Sequence, residues 1–275
     1  EAELAKNEVV VLAGFQGVSP RTKEITTLGR GGSDTTAVAM AAYFKAECCE
    51  IRKDVDGVHS ADPRLVAKTR HLPHLHYESL LDMTFWGAKV LHYRSVELAT
   101  LLKIPVRICL AHGDGANTLI DGEAKMYEKA RVLSVNTHKD VRWLRVKETD
   151  LAKAFREFTG ALKETGLPLP QFLDSEAHST DCAFLITGPA ETLAAIESLT
   201  HARPLLSLSS PGLSSVTATC QGTYASPMPD EVAQGLAKHQ ISVQKMLFGA
   251  MSISVVVEAK NRDRAIQVLH EMEFS

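Results

Sequence analysis

A glycine-rich segment near the start of the chain combines residue types that bind small anions. Residues 29–34 read GRGGSD, and a helix is predicted from Asp34 to about Ala46 with Ser33 as its N-cap. The free N–H groups and positive dipole end of a helix start attract anions, and glycines let the backbone approach a ligand closely. Arg30 adds a planar fork that suits a carboxylate. The segment predicts an anion site, and the pattern leaves open a plain helix cap after a flexible turn.

Two later segments carry charged residues beside turn signals. Residues 53–64, KDVDGVHSADPR, follow a predicted strand and could handle a nucleotide and a metal, although an Asp-Gly turn followed by an Asp-Pro turn explains the same pattern. The pattern argues against a calcium loop, because the twelfth position counted from Asp54 is Leu65, not glutamate. Residues 87–92, GAKVLH, place Lys89 at a helix break, where it would either reach a phosphate or face solvent.

The elements that must position these segments alternate in type along the first half of the chain. Short apolar or alternating runs predict strands, and helical patterns separate them. The strands are Val9–Phe15, Cys48–Val55 and Pro105–Leu110, and a further helical stretch, His76–Lys103, breaks near Gly87. This order predicts an α/β layer architecture with a parallel sheet, in which Val9–Phe15 is a buried strand.

The second half repeats one pattern. After about residue 130, two copies of a β-α-β-β-α order superpose at an offset of about 71 residues, which aligns Cys182–Ile186 with Ile253–Val257. Each copy is similar to the ferredoxin-like split βαβ unit. Met251–Val257 is too apolar for an exposed edge strand, so we expect it to be central or covered.

The composition excludes several classes of protein. Thirty basic and thirty-three acidic residues give a net charge of −3, which argues against a strongly basic nucleic-acid-binding protein. No apolar run approaches the roughly 20 residues of a membrane-spanning helix. The five cysteines include no C-x-x-C pair, which favours reduced thiols in a cytoplasmic protein.

Taken in order, the motifs resemble those of the aspartate kinases of the amino acid kinase superfamily. The family pattern reads approximately G-F-x-G, T-T-L-G-R-G-G-S-D-x-T-A, T-D-V-D-G-V-Y-T-A-D-P-R and G-A-K-V-L-H-P. Its counterparts here are Gly14–Gly17, Thr26–Ala37, Lys53–Arg64 and Gly87–Tyr93. The repeats resemble the paired ACT domains of that family. The resemblance implies the C-terminal half of an amino acid kinase-type parallel sheet sandwich in residues 1–125, followed by ACT domains in residues 131–209 and 210–275.

The resemblance also implies roles for individual residues. Asp34 would be the catalytic residue that organises the reacting phosphate. The aspartate pocket would contain Arg30, Gly31, Gly32 and Ser33. The ATP-binding residues would be Lys53, Asp54, His59, Arg64, Lys89 and Val90. No metal ligand is assigned to the chain itself.

The implied reaction is the transfer of a phosphoryl group from ATP, with Mg²⁺, to the side-chain carboxylate of L-aspartate. The product, 4-phospho-L-aspartate, leads to lysine, threonine and methionine. The resemblance implies a cytoplasmic homodimer that pairs through its ACT domains and is regulated by an amino acid, lysine or threonine. Neither nucleic acid nor membrane is an expected partner.

The sequence departs from the family pattern at several positions. Lys53, His59 and Tyr93 replace Thr, Tyr and Pro, and no K-F-G-G-T-S-V phosphate loop occurs. We therefore expect the chain alone to be inactive. The strand-to-helix loops of the two repeats, 147–150 and 221–229, lack the usual effector turn, which predicts weak or absent inhibition by lysine. Two alternatives are a non-catalytic amino-acid-sensing subunit and another amino acid kinase, acting on glutamate or a nucleotide.

Overall fold

The computed structural model describes residues 2–112, 115–123, 131–221 and 228–272. We call residues 2–112 and 115–123 the α/β part, and the remainder the repeat unit. The α/β part contains the strands β1 (Gln16–Val18), β2 (Ile25–Thr27), β3 (Cys49–Lys53), β4 (Val58–His59), β5 (His71–Leu72), β6 (His74–His76), β7 (Val106–Leu110) and β8 (Asn117–Asp121). Its helices are α1 (Gly32–Tyr43), α2 (Tyr77–Phe85) and α3 (Tyr93–Leu102).

The main sheet of the α/β part has the strand order β3-β7-β8-β6 and is mixed. β3 pairs with β7 in parallel and β6 with β8 in parallel, but β7 and β8 are antiparallel. The sequence prediction of a fully parallel sheet is wrong at this pair, because only residues 111–116 join β7 to β8 and a parallel pair needs a longer crossover. The core beneath the helices is formed by Val38, Ile51, Leu80, Val96, Ile108 and Ile120.

The prediction of a buried strand at Val9–Phe15 is also wrong. Residues 8–14 form no strand, and Val9 and Val11 are 93% and 90% exposed. Apolar side chains favour a buried strand only where neighbouring strands accept its hydrogen bonds, and no strand in the described part of the chain pairs with this run. The first ladder begins after it, between Gln16 and Thr27.

The repeat unit confirms the predicted β-α-β-β-α order in both copies. The first copy consists of β9 (Arg131–Val146), α4 (Leu151–Thr165), β10 (Gln171–Ala177), β11 (Cys182–Thr187), α5 (Ala190–His201) and an added strand, β12 (Leu206–Leu208). The second consists of β13 (Leu213–Gln221), α6 (Met228–Lys238), β14 (Val243–Phe248), β15 (Ser252–Glu258) and α7 (Arg262–Glu271). The superposed strands β11 and β15 occupy equivalent places beside the first strand of their copy.

One seven-stranded sheet joins the two copies, and β9 is the strand that they share. Residues 131–138 pair with β13 and residues 142–146 with β11, and Val141 pairs with both strands. β15 lies between β13 and β14, which confirms that the apolar run at 251–257 is an interior strand. The sheet folds over so that its halves face each other, since Val141, Leu185 and Val256 form one buried cluster.

The repeat unit packs directly against the α/β part. Ala61 and Val66 of the α/β part lie in the same buried cluster as Val135 of β9 and Ile266 of α7. In the part of the chain that the structure describes, no helix combines the length and apolarity needed to cross a bilayer. All five cysteines are free thiols.

Candidate functional site

A cavity of about 900 Å³ lies between the α/β part and the repeat unit. Its walls come from the loop at residues 54–64, the turn at residues 87–90, and the facing elements β9 and α7. We call the first two the DVDG loop and the GAKV turn. Every residue that the sequence assigned to ATP lines this cavity: Lys53, Asp54, His59, Arg64, Lys89 and Val90.

The DVDG loop is held by hydrogen bonds among its own charged side chains. The ring of His59 bonds Asp56 Oδ1 through Nε2 at 2.8 Å, which lowers the pKa of that carboxyl. Arg64 donates to both oxygens of Asp62, at 2.9 and 2.7 Å, and this fork lowers the pKa of Asp62. Gly57 has φ +143°, and an added Cβ would lie 2.5 Å from Thr118 Oγ1. These contacts give the loop a defined shape.

The GAKV turn follows α2 and contacts the repeat unit closely. Gly87 has φ +104°, and a Cβ there would lie 2.3 Å from the carbonyl oxygen of Thr137 on β9. Only glycine permits this approach. Lys89, two residues later, is exposed and forms no ion pair within the described residues. Its ammonium group is available to an anion in the cavity.

A salt bridge connects the cavity to the glycine turn at residues 29–34. Lys53 ends β3, and its Nζ lies 3.3 Å from Oδ2 of Asp34 in the first turn of α1. Both side chains are mostly buried, at 25% and 18% exposure. The predicted catalytic carboxylate therefore lies beside one of the predicted ATP residues.

The glycine turn starts α1 two residues earlier than predicted. Gly31, not Ser33, is the N-cap, with φ +69°, and α1 begins at Gly32. A Cβ on Gly31 would lie 2.2 Å from the ring of His92, so a side-chain cap has no room there. Ser33 is instead the second residue of the helix.

Arg30 lies outside the cavity, at the surface. Its side chain is 72% exposed, and one guanidinium nitrogen is 3.7 Å from a carboxylate oxygen of Glu191 on α5. An exposed pair at this distance contributes little to stability. The guanidinium is therefore free to exchange Glu191 for a ligand carboxylate.

The wall that the repeat unit contributes to the cavity was not predicted from the sequence. Asn136, Thr137 and Lys139 of β9 and Arg262 and Ile266 of α7 line the cavity. These residues carry no motif, and they lie at least 72 residues after Arg64 in the chain. Only the packing of the two parts brings them to the nucleotide residues.

The chain is similar to known proteins over almost its whole length. The family model described as the amino acid kinase family matches residues 1–110. The aspartate kinase of Stutzerimonas stutzeri is 32% identical over 279 residues, which are 98% of this chain and 67% of that protein. The aspartokinase of Mycobacterium tuberculosis H37Rv is 34% identical over 286 residues, with the same coverage of both chains. The chain thus spans about two thirds of the length of these curated relatives.

Solved structures share the fold. E. coli aspartokinase III in complex with aspartate and ADP superposes with a TM-score of 0.73 at 22% identity, over 95% of this chain and 60% of that one. The aspartate kinase of Clostridium acetobutylicum gives 0.69 at 19% identity, over 94% and 61%. Fold and motifs define the class, a kinase of the amino acid kinase type. Within that class, the chain belongs to the aspartokinase family.

Proposed function

We propose that this chain carries the nucleotide site and the aspartate site of an ATP-dependent aspartate kinase, which forms 4-phospho-L-aspartate from L-aspartate. The observation that carries the proposal is the cavity that all six expected ATP residues line together. The salt bridge from Lys53 to Asp34 supports it, because it links that cavity to the glycine turn.

The chemistry suits these groups. Phosphoryl transfer to a carboxylate requires alignment of two anions and neutralisation of their charge, with little covalent help. Lys89 and Arg64 would face the phosphates, and Arg30 with the amides of Gly31 to Ser33 would hold a carboxylate of aspartate. Asp34 would hold Lys53 toward the transferred group.

Mg²⁺ would enter with the nucleotide. Among the described residues, no group of three His, Cys, Asp or Glu side chains converges as in a dedicated metal site. Kinases commonly hold Mg²⁺ with one or two carboxylates and the substrate phosphates, and Asp54 at the cavity wall fits that role. Bound there, the ion would neutralise phosphate charge.

We also propose that residues 131–209 and 210–275 are ACT domains that bind an amino acid effector and pair two chains into a homodimer. The strands β10 and β14 end the strand order of the repeat unit, and Phe248 on β14 is 65% exposed. Placing the boundary between the two domains at residues 209 and 210 assigns β9 to the first domain, although Val135 of β9 packs in the core of the second. The second effector loop falls largely on residues 222–227, outside the described residues.

We further propose a cytoplasmic location, which the free thiols of the five cysteines support.

Calorimetric titration of the whole chain with Mg·ADP and then with L-aspartate tests the proposed sites. We expect one nucleotide per chain, lost in Lys89→Met and retained in Lys68→Met, whose lysine is exposed and does not line the cavity. Binding of aspartate but not glutamate would establish the acceptor. Absence of nucleotide binding by the unsubstituted chain would contradict the proposal.

A further inference from the structure

A hydrogen-bonded junction connects α2 to the sheet of the repeat unit. Thr219 Oγ1 of β13 donates to Oδ2 of Asp82 at 2.7 Å, and Ser252 Oγ of β15 donates to Oδ1 at 2.8 Å. Trp86 Nε1 in turn donates to Ser252 Oγ at 2.8 Å. Thr219 and Ser252 are paired in the β13–β15 ladder and both are buried. The carboxylate thus receives both of these bonds from the repeat unit.

The end of α2 is fixed to the repeat unit at two further points. The carbonyl oxygen of Phe85 accepts hydrogen bonds from His138 Nε2 at 2.9 Å and from Gln171 Nε2 at 2.7 Å. Gly87 then lies against the carbonyl of Thr137. The next residues along the chain are those of the GAKV turn that line the cavity. Contacts with the repeat unit therefore determine where the GAKV turn lies in the cavity wall.

Packing alone does not account for a carboxylate at this place. The neighbouring positions of α2, Leu80 and Met83, are fully buried, and an apolar residue would cover the same surface. Burial raises the pKa of Asp82 in spite of its hydrogen bonds, so the ionised group carries a cost in free energy. Directional hydrogen bonds, unlike apolar contact, select one orientation of the helix on the sheet.

We propose that Asp82 is a positioning residue for the nucleotide. Its contacts with Ser252, Thr219 and Trp86 hold the GAKV turn in place, so that Lys89 lies where it can contact a phosphate bound in the cavity. The inference rests on the proposed function.

Removing the two donors while leaving the strands intact tests the proposal. The variant pair is Thr219→Val and Ser252→Ala. The matched control is Thr217→Val and Ser254→Ala, which removes the next hydroxyl pair of the same ladder. Thr217 Oγ1 donates to Ser254 Oγ at 2.7 Å, both residues are buried, and within the described part of the chain neither hydroxyl bonds to α2. The two double variants thus lose comparable burial and polarity.

Mg·ADP dissociation constants and melting temperatures are measured for the whole chain. We expect the junction variant to bind Mg·ADP about five- to tenfold more weakly, which is the usual effect of one or two lost buried hydrogen bonds acting through a positioned group. The control should keep its affinity and lose less thermal stability, because it removes both partners of one hydrogen bond, whereas the junction variant leaves the Asp82 carboxylate without its two donors. Asp82→Asn, which keeps one acceptor oxygen, should fall between the junction variant and the unsubstituted chain.

Unchanged affinity in the junction variant, or equal weakening in the control, would overturn the positioning role while leaving the nucleotide site in place. If the unsubstituted chain binds no Mg·ADP, the proposed function fails and this inference fails with it. Fluorescence separates a local from a global effect: in a Trp143→Phe background, Trp86 is the remaining tryptophan. Its emission should differ between the junction variant and the unsubstituted chain and stay constant in the control, because Trp86 Nε1 donates to Ser252 Oγ. An unchanged emission in the junction variant would count against the proposal.

Discussion

Lys53 Nζ lies 3.3 Å from Asp34 Oδ2, and this contact joins the strand that ends at the cavity to the helix that follows the glycine turn. The two residues are 19 positions apart and come from separate motifs. Their pairing explains how an aspartate pocket and a nucleotide pocket can be held at a fixed separation. The consequences of losing it can be measured.

Replacing Lys53 with methionine should weaken Mg·ADP binding by about tenfold, because a mostly buried charge-assisted contact near the phosphates is lost. The unpaired Asp34 carboxylate should also lower the free energy of unfolding by about 1 kcal/mol. Calorimetry and urea unfolding measure the two effects. Arg52→Gln is the control, since this neighbour is exposed and pairs with Glu50. A Lys53→Met chain with normal affinity would contradict the assignment.

Arg30→Lys keeps the charge but removes the two-pronged guanidinium. We expect aspartate affinity to fall by about ten- to a hundredfold and Mg·ADP affinity to change little. Arg21→Lys, in an exposed loop, is the matched control. Titration with aspartate at saturating Mg·ADP gives the comparison. If nucleotide affinity moves and aspartate affinity does not, the pocket has been assigned wrongly.

Gly31 can be compared with a glycine of almost the same backbone conformation. Gly31 and Gly166 both have φ +69°, with ψ 12° and 15°. A Cβ on Gly166 meets nothing within 4 Å, whereas one on Gly31 meets His92 at 2.2 Å. Gly166→Ala should therefore cost about 1 kcal/mol of backbone strain, and Gly31→Ala about 3 kcal/mol. Equal losses in urea unfolding would show that the His92 contact relaxes freely.

Stability should fall in mildly acidic solution, in part because of His138. Burial lowers the pKa of this residue to about 4, so its neutral ring donates to the Phe85 carbonyl. Between pH 6.5 and 4 the unfolded chain binds a proton that the folded chain excludes, and stability decreases as the pH falls. The contribution of His138 to the decrease in the free energy of unfolding between pH 6.5 and 5 is about 2 kcal/mol.

Urea unfolding at pH 7 and pH 5 measures this decrease. His138→Gln keeps a donor for the Phe85 carbonyl but cannot take up a proton, so its decrease should be smaller than that of the unsubstituted chain. His201→Gln, at an exposed position, is the matched control for the loss of an imidazole. The same decrease in His138→Gln as in the unsubstituted chain would exclude the role given to His138.

The sequence predicted the local features of the site because each is encoded by neighbouring residues. The Asp-Gly turn at Gly57, the helix break at Gly87 and the interior strand at 251–257 follow from glycine conformations and from apolar alternation. The errors come from long-range pairing. The Val9–Phe15 run has the composition of a buried strand, but no strand among the described residues pairs with it. The antiparallel β7–β8 pair depends on a short connection rather than on the strands themselves.

The repeat-unit wall of the cavity could not be predicted for the same reason. Thr219 and Ser252 read as ordinary residues of apolar strands, and nothing near them in the chain marks them as partners of Asp82. Their contact depends on how a sheet of one unit packs on a helix of another. A local pattern contains no information about that packing.

The most direct test of the account maps where the nucleotide binds. The whole chain is photolabelled with an azido analogue of ADP, digested, and analysed by mass spectrometry. We predict labelled peptides from the DVDG loop, the GAKV turn and the facing segments of β9 and α7, with labelling suppressed by excess ADP. Labelling confined to other surfaces, or labelling that ADP does not suppress, would contradict the claim that the cavity between the α/β part and the repeat unit is the nucleotide site.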